Sequence, residues 1–261
     1  MNKLISELIL YSNIEENSFL YKLCEIYADW NELQAWEASG VNAEDLEYPG
    51  ADLTGELRGR LYKEIKHLLD VSTDYGFNGN LWQNYLTFFI LSNENSFSVT
   101  CEGEGATDGG SINLLALHDF KIFKELFHFD FGPLEAALGT DCLSTVCHYQ
   151  AIPKKDKLYN KDVSGIVTKV SENIAGASTE QEIFDIVTAH YKSYGVGLFG
   201  INRAFRISGS GDELQFVPIS NASPVLLSDL VGYERQKKEL MDNTAAFCQG
   251  LSANNVLLYG E

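Results

Sequence analysis

The chain has 261 residues, of which 45% are hydrophobic, and its formal net charge at pH 7 is −18. This length is long for one compact domain and comfortable for two. The acidic balance argues against nucleic acid and anionic membranes as partners, because both attract basic surfaces.

Nothing in the sequence predicts a membrane span or a secretion signal. No apolar run approaches the roughly 18 residues needed to cross a bilayer. The apolar start, residues 1–11, is interrupted by Glu7 and is followed by no small-residue cleavage site, so we predict an amphipathic helix there. The five cysteines are odd in number and widely spaced, which is typical of reduced thiols. We therefore expect a cytoplasmic protein.

The first 150 residues predict a helical region. Apolar side chains recur at helical spacing within residues 19–30, 53–69, 81–91 and 112–127. Residues 96–101 alternate in polarity, which predicts a short strand.

The first 60 residues contain 12 acidic and only 4 basic residues. Such a surface either aids solubility or forms a docking face for a basic partner. The glycine-rich run 102–110 fits no phosphate-binding pattern and carries carboxylates, so a surface loop is predicted.

Three residues come closest to a metal-ligand cluster: Cys142, Cys147 and His148. Their C-x4-C-H spacing lacks the second pair of ligands that a closed zinc site needs. We therefore predict no metal site there.

A change in composition at residues 152–157 marks a candidate domain boundary. Beyond it, residues 163–174 predict one helix, and Thr179 with Glu182 forms a capping-box pattern that predicts the start of the next. His190 lies on the apolar face of that second helix, so we interpret it as a satisfied core histidine and not as a ligand.

After this helix, the spacing of apolar residues changes from one typical of helices to one typical of strands. Residues 201–207 and 214–217 predict two strands of a hairpin. Residues 233–249 predict a helix, and residues 254–259 predict a final buried strand. The whole pattern predicts a mainly α (α+β) fold.

Two pieces of the C-terminal part resemble an AAA+ ATPase module. Residues 227–234 (Leu-Ser-Asp-Leu-Val-Gly-Tyr-Glu) resemble the stretch that opens such a module, an apolar pair followed by a glycine and a helix. Residues 253–261 (Ala-Asn-Asn-Val-Leu-Leu-Tyr-Gly-Glu) resemble the strand that leads into the phosphate-binding loop GxxxxGK[ST]. The sequence is most similar to one bacterial family of such ATPases of unknown function, over residues 160–261 and most specifically from residue 227 onward.

This resemblance implies where a nucleotide would lie. Val231, Gly232 and Tyr233 would border the adenine, and Gly260 would be the first glycine of the phosphate-binding loop. The structural alternative is that Gly232 only allows a turn and Val231 only belongs to a core.

The second glycine, the lysine and the Ser/Thr of that loop are not in the sequence. We therefore expect the front part of an ATPase, cut before its phosphate anchor and unable to hydrolyse ATP. The intact parent would bind ATP and Mg²⁺ and remodel an unknown protein client, and a homo-oligomeric ring is one form it could take.

The sequence and the resemblance together predict three parts. Residues 1–152 form an acidic helical N-terminal domain that would recognise a client or adaptor. Residues 158–222 form a helical pair with a hairpin, and residues 224–261 form the start of the ATPase module.

Two other functions stay open. One is a stand-alone acidic helical module that binds proteins. The other is a helical metal-dependent phosphohydrolase that uses His67, His118, Asp119 and Asp185 as metal ligands. On the predicted helix, however, His118 points away from the apolar stripe while Asp119 lies at its edge, and a single His-Asp doublet is common by chance.

Overall fold

The computed structural model describes residues 1–39, 52–106, 109–152, 161–202, 204–209, 214–219 and 226–259. Within these ranges the chain is mainly helical with one small hairpin, as predicted. It divides into two compact units, residues 1–221 and 222–261.

The first unit contains eleven helices within the described ranges. They are α1 (Asn2–Ser6), α2 (Phe19–Ala38), α3 (Leu53–Tyr75), α4 (Leu81–Ser92), α5 (Ser96–Glu104), α6 (Ser111–Phe127), α7 (Gly132–Leu138), α8 (Cys142–Cys147), α9 (Lys161–Ala175), α10 (Glu180–Tyr194) and α11 (Gly197–Ile201). The hairpin strands β1 (Phe205–Ser208) and β2 (Gln215–Pro218) follow, and α12 (Glu234–Cys248) belongs to the second unit.

Side-chain caps fix where several helices begin. The Ser18 hydroxyl accepts a hydrogen bond from Tyr21 N (3.3 Å), and the Asn80 side chain accepts one from Gln83 N (3.0 Å). The predicted cap at Thr179 is present, because its hydroxyl accepts from Glu182 N at 3.2 Å. The Glu182 carboxylate accepts a hydrogen bond from Ser178 N (2.7 Å). In a standard capping box the donor would be the next residue, Thr179.

The predicted strand at residues 96–101 is wrong, because these residues form α5. The Asn95 side chain accepts from Phe97 N and Ser98 N, both at 3.0 Å, and the Ser98 hydroxyl accepts from Asn95 N at 2.9 Å. This reciprocal cap starts a helix. Phe97 and Cys101 then lie four residues apart on one buried face, a spacing that suits a helix and not a strand. The predicted loop at 102–110 therefore begins later, and Thr107 and Asp108 lie outside the described residues.

The core of the first unit joins helices from both sides of Ile152. α10 packs against α5 and α6, where Phe97, Phe120 and Phe184 contact one another at ring-centroid distances of 5.5–6.2 Å. The buried Tyr191 hydroxyl donates to Ile90 O (2.7 Å) and lies 2.9 Å from the hydroxyl of Tyr11. Residues 153–160, where we predicted a domain boundary, lie outside the described residues.

The hairpin is present but begins later than predicted. β1 and β2 pair antiparallel, with Phe205 opposite Pro218 and Ile207 opposite Phe216. The predicted first strand started at Ile201, which is instead the last residue of α11. Phe199 of α11 contacts Phe205 and Phe216 at centroid distances of 4.9 and 5.4 Å.

The predicted helix at 233–249 is confirmed as α12, but the predicted final strand is wrong. Residues 251–259 contain no strand. A strand needs a hydrogen-bonded neighbour, and no other strand is described within residues 226–259. None of the helices in the described ranges combines the length and the apolar character needed to cross a membrane.

Candidate functional site

The predicted adenine-side residues lie in a short turn that leads into α12. A 3-10 turn covers Leu227–Asp229, and the Asp229 carboxylate caps it by accepting from Leu226 N at 2.8 Å. From inside α12, Lys237 Nζ donates to Leu230 O at 2.9 Å and forms an ion pair with Glu234 at 2.6 Å. The first turn of the helix therefore holds the backbone just before Val231.

Two successive residues of this turn have positive φ angles: Gly232 (84°) and Tyr233 (59°). Glycine adopts this conformation freely, but a tyrosine is strained there. Tyr233 is the only non-glycine residue with positive φ in the described part of the chain. The strained position therefore falls inside the segment that, by the resemblance, would border a nucleotide.

The side chains on either side of Gly232 are not buried. Val231 is 93% exposed and Tyr233 is 71% exposed. Val231 is therefore not part of a core formed by the described residues. The exposed side chains of Val231 and Tyr233 therefore offer two apolar surfaces to a ligand. The main chain of the turn is exposed between them.

The segment that leads towards Gly260 is attached to α12 by a reciprocal pair of hydrogen bonds. The Asn243 amide donates to Asn254 O and accepts from Asn254 N, both at 2.8 Å. The apolar residues that follow are exposed: Val256, Leu257, Leu258 and Tyr259. Gly260 itself lies outside the described residues.

The residues of the phosphohydrolase alternative do not come together. Buried Asp119 accepts hydrogen bonds from the backbone N–H groups of Ile9 (3.0 Å), Leu10 (2.8 Å) and Tyr11 (3.1 Å). His118 Nε2 lies 3.0 Å from Glu7 O, and exposed Asp185 accepts from Gln181 at 2.9 Å. In the described ranges no group of three or more His, Cys, Asp or Glu side chains could hold a metal ion.

The cysteines near His148 are not arranged for thiolate chemistry. Burial raises the pKa of the Cys147 thiol to about 11 and also raises that of Cys142. Both thiols are therefore protonated at neutral pH. His148 Nδ1 lies 3.0 Å from Ser144 O at the end of the same helix, which accounts for its position without a ligand.

Sequence reasoning noted the acidic N-terminal region but missed a groove within it. The groove lies between α2 and α3 and has a volume of about 360 Å³. Its apolar lining consists of Leu33, Trp36, Leu53 and Leu57, and its charged lining consists of Asp29, Glu32, Glu56 and Arg60. Arg60 donates to Asp29, so the remaining charge of the groove is negative. Its parts come from two helices, so no local pattern could have revealed it.

Comparisons with known proteins add one finding. No curated protein and no solved structure matches this chain. Residues 201–261, which include β1, β2, α12 and the turn at Gly232, match the model of a family described as "Protein of unknown function (DUF815)".

Proposed function

We propose that residues 222–261 are the entrance of an ATP-binding module of the P-loop class, in which Val231, Gly232 and Tyr233 border the adenine ring. The observation that carries this proposal is the exposed, strained turn at Gly232–Tyr233. Strain of about 1–3 kcal/mol in a non-glycine residue is commonly kept at ligand sites. Nothing in the packing of Tyr233 requires it, because the side chain is largely exposed.

The chemistry of the turn suits a flat purine. Val231 and Tyr233 offer apolar surfaces for the two faces or the edge of the ring, and the backbone between them offers amide and carbonyl groups for its polar edge. The Asn243–Asn254 hydrogen bonds attach the segment that precedes Gly260 to the same helix that begins at this turn. One helix would thus position both the adenine side and the approach to the phosphates.

The phosphates need residues that this sequence does not contain. A P-loop lysine holds the β- and γ-phosphates and a Ser/Thr hydroxyl holds Mg²⁺. Gly260 would be the first residue of that loop. On this proposal, residues 1–261 do not hydrolyse ATP, and a longer protein with the complete loop would use ATP and Mg²⁺ to remodel a protein client.

The test begins with the codons that follow Glu261. If they complete GxxxxGK[ST], the extended protein should bind a fluorescent ATP analogue with Mg²⁺, measured by anisotropy, whereas residues 1–261 should not. Val231→Glu in the extended protein should weaken binding at least about tenfold, because a carboxylate would meet the apolar purine. Val99→Glu changes an exposed valine on α5 in the same way and should leave binding unchanged.

Two results would reject the proposal. One is downstream sequence without the lysine and Ser/Thr of the loop. The other is nucleotide binding that Val231→Glu and Val99→Glu affect equally.

A second proposal rests on the groove between α2 and α3. Its acidic rim and its tryptophan fit a lysine or arginine side chain, which would gain from the charges and from the face of Trp36. We propose that this groove docks a basic segment of a client or adaptor protein. Residues 40–51, which connect the two helices, lie outside the described residues.

A fluorescein-labelled octalysine peptide tests this docking face. Anisotropy should show binding that weakens with salt, and Glu32→Lys/Glu56→Lys should reduce the affinity at least about tenfold. Glu125→Lys/Glu172→Lys makes the same change in net charge on exposed residues elsewhere. Equal losses in the two double variants would mean that net charge alone attracts the peptide.

A further inference from the structure

A second cleft, of about 520 Å³, lies between α9 and α10 in the first unit. The residues of α9 that line it follow helical spacing on one face: Ile166, Lys169, Val170 and Asn173. Those of α10 are Asp185, Ile186, Ala189, His190, Ser193 and Tyr194. The volume falls within the range of roughly 300–1,000 Å³ that is typical of small-molecule sites.

The cleft contains a buried polar side chain without a partner. His190 is 5% exposed, and its Nε2 atom is buried with no hydrogen-bond partner in the described part of the chain. Such an atom costs about 1–3 kcal/mol. The sequence correctly predicted that His190 is buried, but its Nε2 atom is not satisfied by any of the described residues, as a satisfied core histidine would require. An unsatisfied nitrogen in the lining of a cleft calls for an explanation, and a water molecule or a ligand from outside the chain would supply a partner.

An aromatic ring stacks on the imidazole of His190. The Tyr194 ring stacks on the His190 ring with centroids 5.0 Å apart and an angle of 25° between the planes. Tyr194 is 53% exposed, unlike Tyr191, which is buried in the core. The half-exposed ring of Tyr194 therefore offers a flat surface to a ligand in the cleft.

The charges of the cleft favour an uncharged ligand. Desolvation by burial lowers the pKa of His190 to about 4, so the imidazole is neutral at pH 7. Lys169 and Asp185 bring one charge of each sign to the exposed rim. The floor is apolar, because Ile166, Val170 and Ile186 form it.

We propose that this cleft binds a small, uncharged, planar aromatic molecule that carries a hydroxyl or N–H group. The ring lies on the apolar floor beside Tyr194, and the polar group forms a hydrogen bond with Nε2 of His190 in the plane of the imidazole, once the side chains around that buried atom have moved to admit it. This site lies within residues 161–194 and does not depend on the nucleotide proposal.

Phenol is a suitable first probe, because it has one ring and one hydroxyl group. Phenol is titrated into the ¹⁵N-labelled chain at pH 7, and the imidazole signals are followed in long-range ¹H–¹⁵N spectra, with His190 assigned by its loss in His190→Gln. We expect a saturable shift at His190 and none at the exposed His128. Toluene, which has a similar size but no donor, should bind at least about tenfold more weakly.

Matched variants locate the binding. Ala189→Phe fills the cleft from an exposed position and keeps His190, so the affinity for phenol should fall at least about tenfold. Ala136→Phe makes the same change at an exposed alanine of α7 and should keep the affinity. Ser193→Phe fills the same cleft one turn further along α10 and replaces Ala189→Phe if that variant does not fold.

Three results would overturn the proposal. The first is a shift of His190 that does not saturate. The second is equal affinity for phenol and toluene. The third is unchanged phenol binding in a folded Ala189→Phe or Ser193→Phe variant.

Discussion

The two units of this chain differ in where their apolar side chains lie. In residues 1–221, aromatic and aliphatic residues from α2 to α11 are buried in one hydrophobic core. In residues 222–261, α12 has no buried residue, and Val231, Phe247 and Leu257 are exposed. The first unit is therefore stabilised by its own core, whereas the described residues of the second are stabilised mainly by local hydrogen bonds.

Those local bonds explain why the second unit still has a defined form. Lys237 holds the carbonyl of Leu230, and the Asn243 amide holds both main-chain groups of Asn254. Each such bond contributes only about 0.5–1.5 kcal/mol. We therefore expect large effects on the free energy of unfolding for substitutions of buried residues in the first unit, and small ones for substitutions in the second.

The largest effect should come from a core aromatic. Phe120 is fully buried and contacts Tyr11, Phe97 and Phe184. Phe120→Ala should lower the free energy of unfolding by about 3–5 kcal/mol, because it leaves a cavity. Urea titration followed by circular dichroism at 222 nm measures this change.

Phe247→Ala on α12 is the matched substitution in the second unit. It should change the free energy of unfolding by less than about 0.5 kcal/mol, because Phe247 is exposed. A loss as large as that of Phe120→Ala would contradict this difference between the two units, since it would mean that α12 is packed against protein.

A buried carboxylate should have the next largest effect. Asp119→Ala leaves the N–H groups of Ile9, Leu10 and Tyr11 without their acceptor. We expect the free energy of unfolding to fall by about 3 kcal/mol. Asp185→Ala, at an exposed aspartate of α10, should cost less than about 0.5 kcal/mol in the same titration. Similar losses in both variants would show that the three bonds to Asp119 are weak.

His190 should make the first unit sensitive to acid. Its pKa is about 4 in the folded protein, against an ordinary value of 6.5, so the unfolded chain binds a proton first as the pH falls. Well above pH 6.5 this proton binding does not affect the free energy of unfolding. The free energy of unfolding then falls as the pH drops from 6.5 towards 4. This group alone should lower the free energy of unfolding by about 2 kcal/mol at pH 5.

The variant His190→Gln isolates that contribution, because glutamine does not titrate. Lys169 and Asp185 line the same cleft and remain in both proteins. The difference between the two proteins in free energy of unfolding should therefore change by about 2 kcal/mol between pH 7 and pH 5. Parallel pH profiles would contradict the burial of a neutral imidazole.

The sequence predicted the features that depend on neighbouring residues. Helical spacing located α2, α3, α4 and α6, and the Thr179 pattern located the start of α10. The strand predicted at residues 96–101 is wrong because the prediction rested on the alternation of polarity and did not consider the helix cap at Asn95. An asparagine at the N-cap position is a signal for the start of a helix.

Features that depend on distant parts of the chain could not be predicted in this way. The unsatisfied Nε2 of His190 depends on how α9 packs beside α10, and the groove at Trp36 depends on how α2 packs beside α3. At the candidate nucleotide site, the resemblance named Val231, Gly232 and Tyr233. The positive φ of Tyr233 follows from no residue pattern, because tyrosine disfavours it.

A small effect in the opposite direction, a gain in stability, should come from that strained residue. Tyr233→Gly removes the side chain that opposes a positive φ and should stabilise the turn by about 1 kcal/mol. The Lys237 amide donates to Tyr233 O at 2.9 Å, so its hydrogen exchange reports on the turn and should slow about fivefold. Val231→Gly is the control, because Val231 does not have a positive φ and should gain no protection.

The same substitution, Tyr233→Gly, distinguishes a strained turn that binds a ligand from one that only connects two segments. If Tyr233 borders adenine, Tyr233→Gly should slow the exchange of Lys237 and also weaken nucleotide binding by the extended protein, since a more stable turn would lack the tyrosine surface. If the turn is only a connection, stability should rise and nucleotide affinity should stay the same. A gain in stability together with a loss of affinity would mean that the exposed Tyr233 serves ligand binding and not the stability of the second unit.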